Sequence, residues 1–554
     1  MIKAKAKKWV FFFFLDRGNI CIHPNSLLCI LCFFSCKSYI SHINADAEEM
    51  SQPPAKEDFI SNLNGTTLLE ISIGLPLAPL CVLSRGLLLI LYFLHNGKPL
   101  SSTRGHFLLD FAVLVVPPVL SCTVLAPVLL WVILSIVAFC AVLVLTIYCR
   151  RTSYAKVPPK QILSDFWNAR LEPMYIPSIT VFRVFVNILT SISILAVDFP
   201  QYPRRYAKTE TYGTGVMDFG VGSFVFGNAV VCPEVRLQPG AVRSKFFYLV
   251  RQFLAVWPLL LLGFGRLLSV KAVEYHEHMS EYGVHWNFFF TLAAVRMGAT
   301  LLLTLFPVRK AWVVATVLAV VYECFLDLLP LKAFILHGSD GKDSRTGFFN
   351  ANREGIFSVV GYLAIYMASV QIGLYLLKKR SAVREWFGVI PVFLSAVGLL
   401  FLGLDITQTY IDAVSRRMAN LAFCIWVVAH CLVLFSCFLV ADLILVFAKL
   451  LADGADVPCS WRFAQPSLAQ KKRDLVGPLD TKTLPQNVCV ISAVNKNQLL
   501  YFLLANVLTG IVNLLVDTIH SSTFAAMSIL HLYMLTNCCV MYLLQAKNII
   551  FKWW

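Results

Sequence analysis

Charge is what this chain of 554 residues has least of. Asp, Glu, Lys and Arg make up 14% of it, against about 25% in soluble proteins. With 58% hydrophobic residues and a mean hydropathy of +0.71, a water-soluble globular domain is excluded and a bilayer is the expected solvent. An internal repeat of the kind many transporters carry is also missing. So is a dinucleotide fingerprint: among Gly213, Gly215, Gly220, Gly222 and Gly227, position 218 is Asp, and no G-x-G-x-x-G forms. The later glycines are expected to let helices approach closely. No disulfide framework stands out among the seventeen cysteines. Most fall singly in apolar runs, as do Cys81, Cys140, Cys232, Cys324 and Cys431, where a thiol behaves as a small hydrophobe. Cys29, Cys32 and Cys36 have metal-like spacing but no matching second pair, and a closed zinc site takes four ligands. No metal and no resident cofactor are expected. The net charge of +16 would suggest nucleic acid in a soluble protein. Here Lys and Arg sit in short links between apolar runs, where they set orientation, and nucleic acid is set aside as a partner.

What is present is a succession of runs of about 20 apolar residues, the length that crosses roughly 30 Å of hydrocarbon. Thirteen emerge, near 68–94, 107–125, 127–148, 178–198, 217–233, 248–270, 287–307, 311–331, 356–377, 388–407, 421–448, 498–517 and 523–544. Pro117 and Pro118 mark a kink in the second. The expected fold class is therefore an all-α polytopic membrane protein of about 13 transmembrane helices. Links beginning at 95, 149, 234, 308, 378 and 449, with the C-terminal tail, hold 25 Lys and Arg; the opposite set from Met50 onward holds 11. Since positive loops stay cytosolic, the N-terminus is expected in the lumen and the C-terminus in the cytosol.

The first 49 residues read differently. A basic start and an apolar run resemble a signal peptide, but Asp16 and Arg17 cut the run short and no small-residue cleavage site follows. Met50 opens an ordinary polar leader, so residues 1–49 are expected to be an extension outside the domain 50–554. The link at about 449–497, with "KKRDLVGPLDTKTLPQ", is expected to be a flexible cytosolic loop without chemistry.

One stretch stands against the apolar background: Ala196 to Gly227, "AVDFPQYPRRYAKTETYGTGVMDFGVGSFVFG". Asp198, Arg204, Arg205, Lys208, Glu210 and Asp218 fall within 21 positions, on the side expected to be lumenal. Phospholipid headgroups would attract such basic residues; so would an anionic substrate. An acid at the end of a span is costly unless paired or used. Pro200 and Pro203 should keep the segment extended and let it fold back, bringing Lys208 towards Asp198. That pair can be a tether or a catalytic couple.

The same stretch closely resembles the signature of the phosphatidylinositol-glycan class W family, the inositol acyltransferases of GPI-anchor assembly, also called the GPI-anchored wall transfer protein family. "SNLNGTTLLEI", "EYGVHWNFFFT", "NANREGI", "AVSRRMANLAFCIW", "VPCSW" and "NQLLYFLLANVLTGIVNLLVDTIHSST" look like that family too, from Met50 to the C-terminus. The resemblance implies transfer of a fatty acyl chain, typically palmitoyl, from acyl-CoA as co-substrate to the inositol 2-hydroxyl of glucosaminyl-phosphatidylinositol. It implies a multi-pass protein of the endoplasmic reticulum membrane among membrane lipids. It also implies about thirteen spans, in agreement with the count made from apolar runs.

An inositol hydroxyl must lose its proton as it attacks a thioester, which suits Asp198 as general base. The tetrahedral intermediate carries an oxyanion, which suits Lys208. Arg204 and Arg205 can hold a phosphate of either substrate, and Glu210 and Asp218 join them as substrate contacts. His285, Trp286 and Asn287 begin span seven and are secondary pocket candidates. His276 and His278 nearby, among Glu274, Glu277 and Glu281, fit no closed zinc spacing. Asn352 and Arg353 of "NANREGI" are either a helix cap with an Arg353–Glu354 pair or substrate contacts. Arg416 and Arg417 lie on the same side, as do Asp517 and His520; a relay through Ser521 or Ser522 is disfavoured because such close neighbours seldom have relay geometry. A lipid or small-molecule transporter is the competing class, since it also places charges within a polytopic helical body.

Overall fold

The computed structural model describes residues 63–155, 158–236, 244–273, 279–453, 455–464 and 488–551. Residues 1–49, Met50, His276, His278 and the middle of the 449–497 link lie outside the described residues.

Thirteen helices among the described residues are long and apolar enough to cross a membrane. They are α1 (Leu68–Asn96), α2 (Thr103–Ser121), α3 (Ala126–Arg151), α4 (Pro177–Ala196), α5 (Val216–Arg236), α6 (Lys245–Leu268), α7 (Phe288–Leu305), α8 (Val308–Leu328), α9 (Arg353–Leu376), α10 (Val383–Tyr410), α11 (Leu421–Leu451), α12 (Gln498–Leu515) and α13 (Thr523–Ala546). Each falls on one of the apolar runs. Their starts are set by side chains that occupy the orphan N–H groups of a first turn. Thr67 Oγ1 accepts from Glu70 N at 3.3 Å before α1, and Asn287 Oδ1 accepts from Phe289 N and Phe290 N before α7. Asn420 and Ser522 cap α11 and α13 in the same way. The prolines of α2 act one step earlier than expected. A π-helical turn, Phe111–Val115, precedes Pro117 and Pro118 and takes up the ladder bonds that the prolines cannot close.

Ile60–Gly263 and His278–Trp554 form one compact unit, and Phe264–Glu277 belongs to another. Within the large unit, helices are enclosed to very different degrees. About 72% of the apolar window of α1, α4 and α11 is buried, against 17% for α3 and 11% for α12. Trp131, Val142 and Leu145 of α3 stand exposed on its outer side, which is the lipid face of a bundle whose solvent is hydrocarbon. α11 is the central post and packs on α1, α4, α5, α9 and α10. Aromatic contacts fill these seams: Phe182 of α4 stacks on Phe435 of α11 at 4.5 Å. Gly222 of α5 lets the helices close, because a Cβ there would meet Val427 of α11 at 2.5 Å.

The link from 449 to 497 is packed at both ends, contrary to its reading as a flexible loop. Trp461 and Cys489 are buried, and Val490–Lys496 is a helix. The cause is an ion pair inside the bundle: Arg85 Nε donates to Asp110 Oδ1 at 2.6 Å. Arg85 Nη1 also donates to Pro458 O, and Val490 N donates to Asp110 Oδ2. The pair therefore fastens both ends of the link to α1 and α2. Cys459 and Cys489 meet there with sulfurs 3.2 Å apart.

Candidate active site

Between α4 and α5 the chain makes a compact loop, and most of it is held by the protein itself. The extended segment expected from Pro200 and Pro203 is instead a series of turns ending in a 3₁₀ turn, Arg204–Tyr206. Arg204 explains the difference: its guanidinium donates to Val197 O at 2.5 Å and to Phe199 O and Tyr202 O, curling the loop on itself. Buried Tyr202 and Tyr206 anchor the curl. Arg205 reaches the other way and forks onto Glu70 of α1, with Nη2 2.9 Å from Oε1, while Tyr206 Oη donates to the same oxygen at 2.6 Å. The Glu70 hydrogen bond is the largest cause holding Arg205 above the ordinary guanidinium range.

The second half of the loop is sewn to two distant segments. Thr66 N donates to Thr214 O, and Thr214 Oγ1 donates to Thr66 O, both at 2.6 Å. Gly213 N donates to Val414 O, and Ser415 Oγ to Thr211 O. Gly213 has φ +120° with the Asn64 carbonyl against it, so only glycine fits at that crossing. Asp218, at the start of α5, accepts from Arg416 Nε at 2.6 Å and from Thr209 N at 3.0 Å, and both ends of that ion pair are buried.

The expected approach of Lys208 to Asp198 is replaced by two separate arrangements. Lys208 Nζ donates to Glu281 Oε2 at 2.7 Å, with each side chain about a quarter exposed (28% and 25%). Asp198 Oδ2 accepts from Asn513 Nδ2 of α12 at 2.8 Å. Burial is the chief influence on the Asp198 carboxyl and raises its pKa, opposed by the Asn513 hydrogen bond and the charge of Arg204. The other atom of that amide, Asn513 Oδ1, is buried without a donor among the described residues, as is Gln201 Oε1 three residues further along the loop. Gln201 is tied towards the start of α13 through its amide nitrogen, which donates to Ser521 O and Thr523 Oγ1.

The other candidates are placed as follows. His285 N donates to Asn352 Oδ1, and Asn352 Nδ2 donates to Phe348 O. Trp286 Nε1 donates to Thr291 Oγ1, and Asn287 both caps α7 and donates to Gly263 O. Arg353 is buried and donates to Ile335 O, Ser344 O and Asn350 O. Arg417 and Arg345 both pair with Glu354 at 2.8 Å. Glu210 is exposed, and its N–H donates to Leu63 O. His520 is exposed and paired with Asp517, whose carboxyl that hydrogen bond holds below its ordinary range. Arg204, Arg353, Asn287 and the Asp218–Arg416 pair thus hold backbone together, while Asp198, Lys208, Arg205 and Glu210 retain exposed or movable polar atoms.

The loop thereby touches the segment before α1, the one before α7, the 411–420 link and the α12–α13 end, all at one end of the bundle. Asn513, Gln201, Glu70 and Glu281 were missed as its partners. Asn513 had a signal, being an amide within an apolar run; Glu70 and Glu281 had none beyond their sign.

These features define a polytopic helical membrane protein whose polar machinery is gathered at one end around a half-buried acid. The chain matches the GWT1 family over residues 53–544. It is 50% identical over 506 residues to the glucosaminyl-phosphatidylinositol-acyltransferase PIGW of Bos taurus, covering 91% of this chain and 100% of that protein. The Homo sapiens protein of the same name is 48% identical over 506 residues, with the same coverage. GPI-anchored wall transfer protein 1 of Saccharomyces cerevisiae is 33% identical over 528 residues, covering 90% and 98%. The chain belongs to the GWT1 family.

Proposed function

We propose that the chain is a glucosaminyl-phosphatidylinositol acyltransferase of GPI-anchor biosynthesis, moving a fatty acyl chain, palmitoyl, from acyl-CoA to the inositol 2-hydroxyl. The observation that carries this is the setting of Asp198. Its carboxyl has one amide donor, a pKa raised by burial, and a donor-less acceptor on that same amide. Buried acceptors of that kind call for a partner, and a polyol supplies hydroxyl donors to both the carboxylate and the amide oxygen.

Asp198 takes the proton of the 2-hydroxyl as its oxygen forms the bond to the thioester carbonyl carbon. The developing oxyanion is assigned to the Lys208 ammonium, which has three N–H donors, uses one on Glu281 and, since it does not meet Asp198 in the structure, must swing from that partner to reach the intermediate. Collapse breaks the carbon–sulfur bond, and the proton held by Asp198 returns to the departing CoA thiolate. Arg205, on the exposed side of the loop, can meet the phosphodiester of the lipid. The distribution of Lys and Arg supports placing this end on the non-cytosolic side of the membrane, and the family resemblance implies that this membrane is that of the endoplasmic reticulum.

The test is purified protein in detergent supplied with labelled palmitoyl-CoA and glucosaminyl-phosphatidylinositol. Acylated product is expected with no membrane to cross. Binding of either substrate without any product would favour transport and overturn the reading.

A further inference from the structure

Arg183 is a single cation in the apolar run "SITVFRVFVNILT" of α4. Its guanidinium makes no hydrogen bond or ion pair with any described residue, and Nε is buried without a partner. It lines a cleft between α4, α5 and the start of α12, with Asn187, Ser223, Asn228 and Gln498. Those neutral groups already place their donors on the protein: Asn187 on Arg183 O, Ser223 on Gly220 O, Asn228 on Phe224 O and Gln498 on Asn495 Oδ1. No carboxylate lines the cleft among the described residues; the nearest influence of like kind is Arg236, which repels Arg183. Asn187 Oδ1 is a further buried atom without a donor. An unpaired cation in a membrane span marks a ligand or ion site. A buried arginine with no acid in the cleft marks that ligand as an anion, and the charge of Arg236, outside the lining, adds to the positive field there.

We infer that this cleft binds a phosphate ester, with Arg183 receiving its charge, Arg236 adding to the positive field from outside the lining, and Asn187 Oδ1 accepting from a neighbouring N–H or O–H of the ligand. The cleft is open to its surroundings and its room is about 10 Å³, about that of one water-sized group, so one phosphate oxygen enters and the rest of the group stays at the mouth. The cleft lies towards the opposite end of the bundle from Asp198, since Arg183 precedes Ala196 by about 20 Å of helix. An extended pantetheine arm, about 13 bonds from phosphorus to sulfur, spans roughly 15 Å. A phosphate held at Arg183 can therefore deliver a thioester towards the catalytic loop from the far side. That assignment of the phosphate to the acyl donor rests on the acyl-transfer reading; the existence of the site does not.

Binding without turnover separates the two. Full-length protein in maltoside micelles, which contain no phosphate, is titrated with CoA and separately with glycerophosphoinositol. Arg183→Gln is expected to weaken the bound probe about tenfold or more, as loss of a charge-assisted contact does, and Arg183→Lys to weaken it less. Arg236→Gln, at an exposed position, is expected to cost a few-fold and serves if Arg183→Gln does not fold. Weakening of CoA alone assigns the site to the acyl donor, and weakening of glycerophosphoinositol alone assigns it to a lipid headgroup. Affinity for both probes unchanged from wild type in the folded variants overturns the inference, as does failure of wild type to bind either. If CoA binds through Arg183 but no acyl product forms, the site stands and the acyl-transfer reading falls.

Discussion

Asp198 and Asp218 stand at the two ends of one loop, and the fold treats them in opposite ways. Asp218 is enclosed, faces Arg416 and accepts from Thr209 N as well. Its lone pairs are satisfied by groups that cannot leave without unmaking the loop. Asp198 is only half-buried, has the Asn513 amide as its hydrogen-bond donor, and sits beside that amide's oxygen, which has no donor among the described residues. Both acids are near hydrocarbon, where an ionised group must be paired or used. The contrast sorts them: a saturated acid holds structure, and an unsaturated one is available to a substrate.

The comparison breaks most sharply at Asp198. Asp198→Asn is expected to lower turnover by about 10²- to 10⁴-fold, the usual worth of a positioned base, with thermal stability unchanged or improved. Because burial raises the Asp198 pKa in the folded protein, its contribution to stability is present at low pH and is lost as pH rises through that value. Removing the charge is therefore expected to leave the protein at least as stable at neutral pH. The wild-type rate should fall on the acid side with a midpoint above the ordinary carboxylate range, and this limb should vanish in the residual activity of the variant. A loss of stability that tracks the loss of turnover would make Asp198 a second Asp218.

Lys208 tests the loop between them. Lys208→Ala is expected to lower turnover by about 10²- to 10³-fold through loss of oxyanion stabilisation. Glu281→Gln removes the partner and keeps the ammonium, so turnover should stay within about fivefold, the scale of a partly exposed ion pair. Equal losses in the two variants would reduce the pair to a tether.

The smallest effect on chemistry is expected at the other end. Arg416→Ala leaves Asp218 buried and unpaired and should cost about 3–5 kcal/mol of stability, while turnover per folded molecule is unchanged. A stable Arg416→Ala protein with lost turnover would move Arg416 into the site. Thermal unfolding alongside specific activity reads both quantities.

The spans were legible because a bilayer demands about 20 apolar residues in sequence, a constraint written locally. The kink of α2 was legible in Pro117 and Pro118, but its π turn was not, since that depends on which backbone groups the neighbours satisfy. The charged stretch announced itself against an apolar background. Its pairing did not, because Glu70 and Glu281 come from segments 135 and 73 residues away, and sequence gives no distance between links. The curl made by Arg204 overrode the extended preference of Pro200 and Pro203 by binding three carbonyls at once. The packed ends of the 449–497 link were hidden for the same reason: the Arg85–Asp110 pair that fastens them lies over 300 residues earlier.

The hydrogen bond from Asn513 to Asp198 spans 315 residues, which gives the molecule a timetable. At about 5–20 residues per second, a ribosome needs roughly 16 to 63 s after making the acid to make its amide partner. During that interval the end of α4 must wait at the interface with its carboxyl hydrated. Asp198, the loop that carries it and the span that completes its hydrogen bond come together only when almost the whole chain has been inserted, so a chain cut short before α12 is expected to be inactive however many of its earlier helices have assembled.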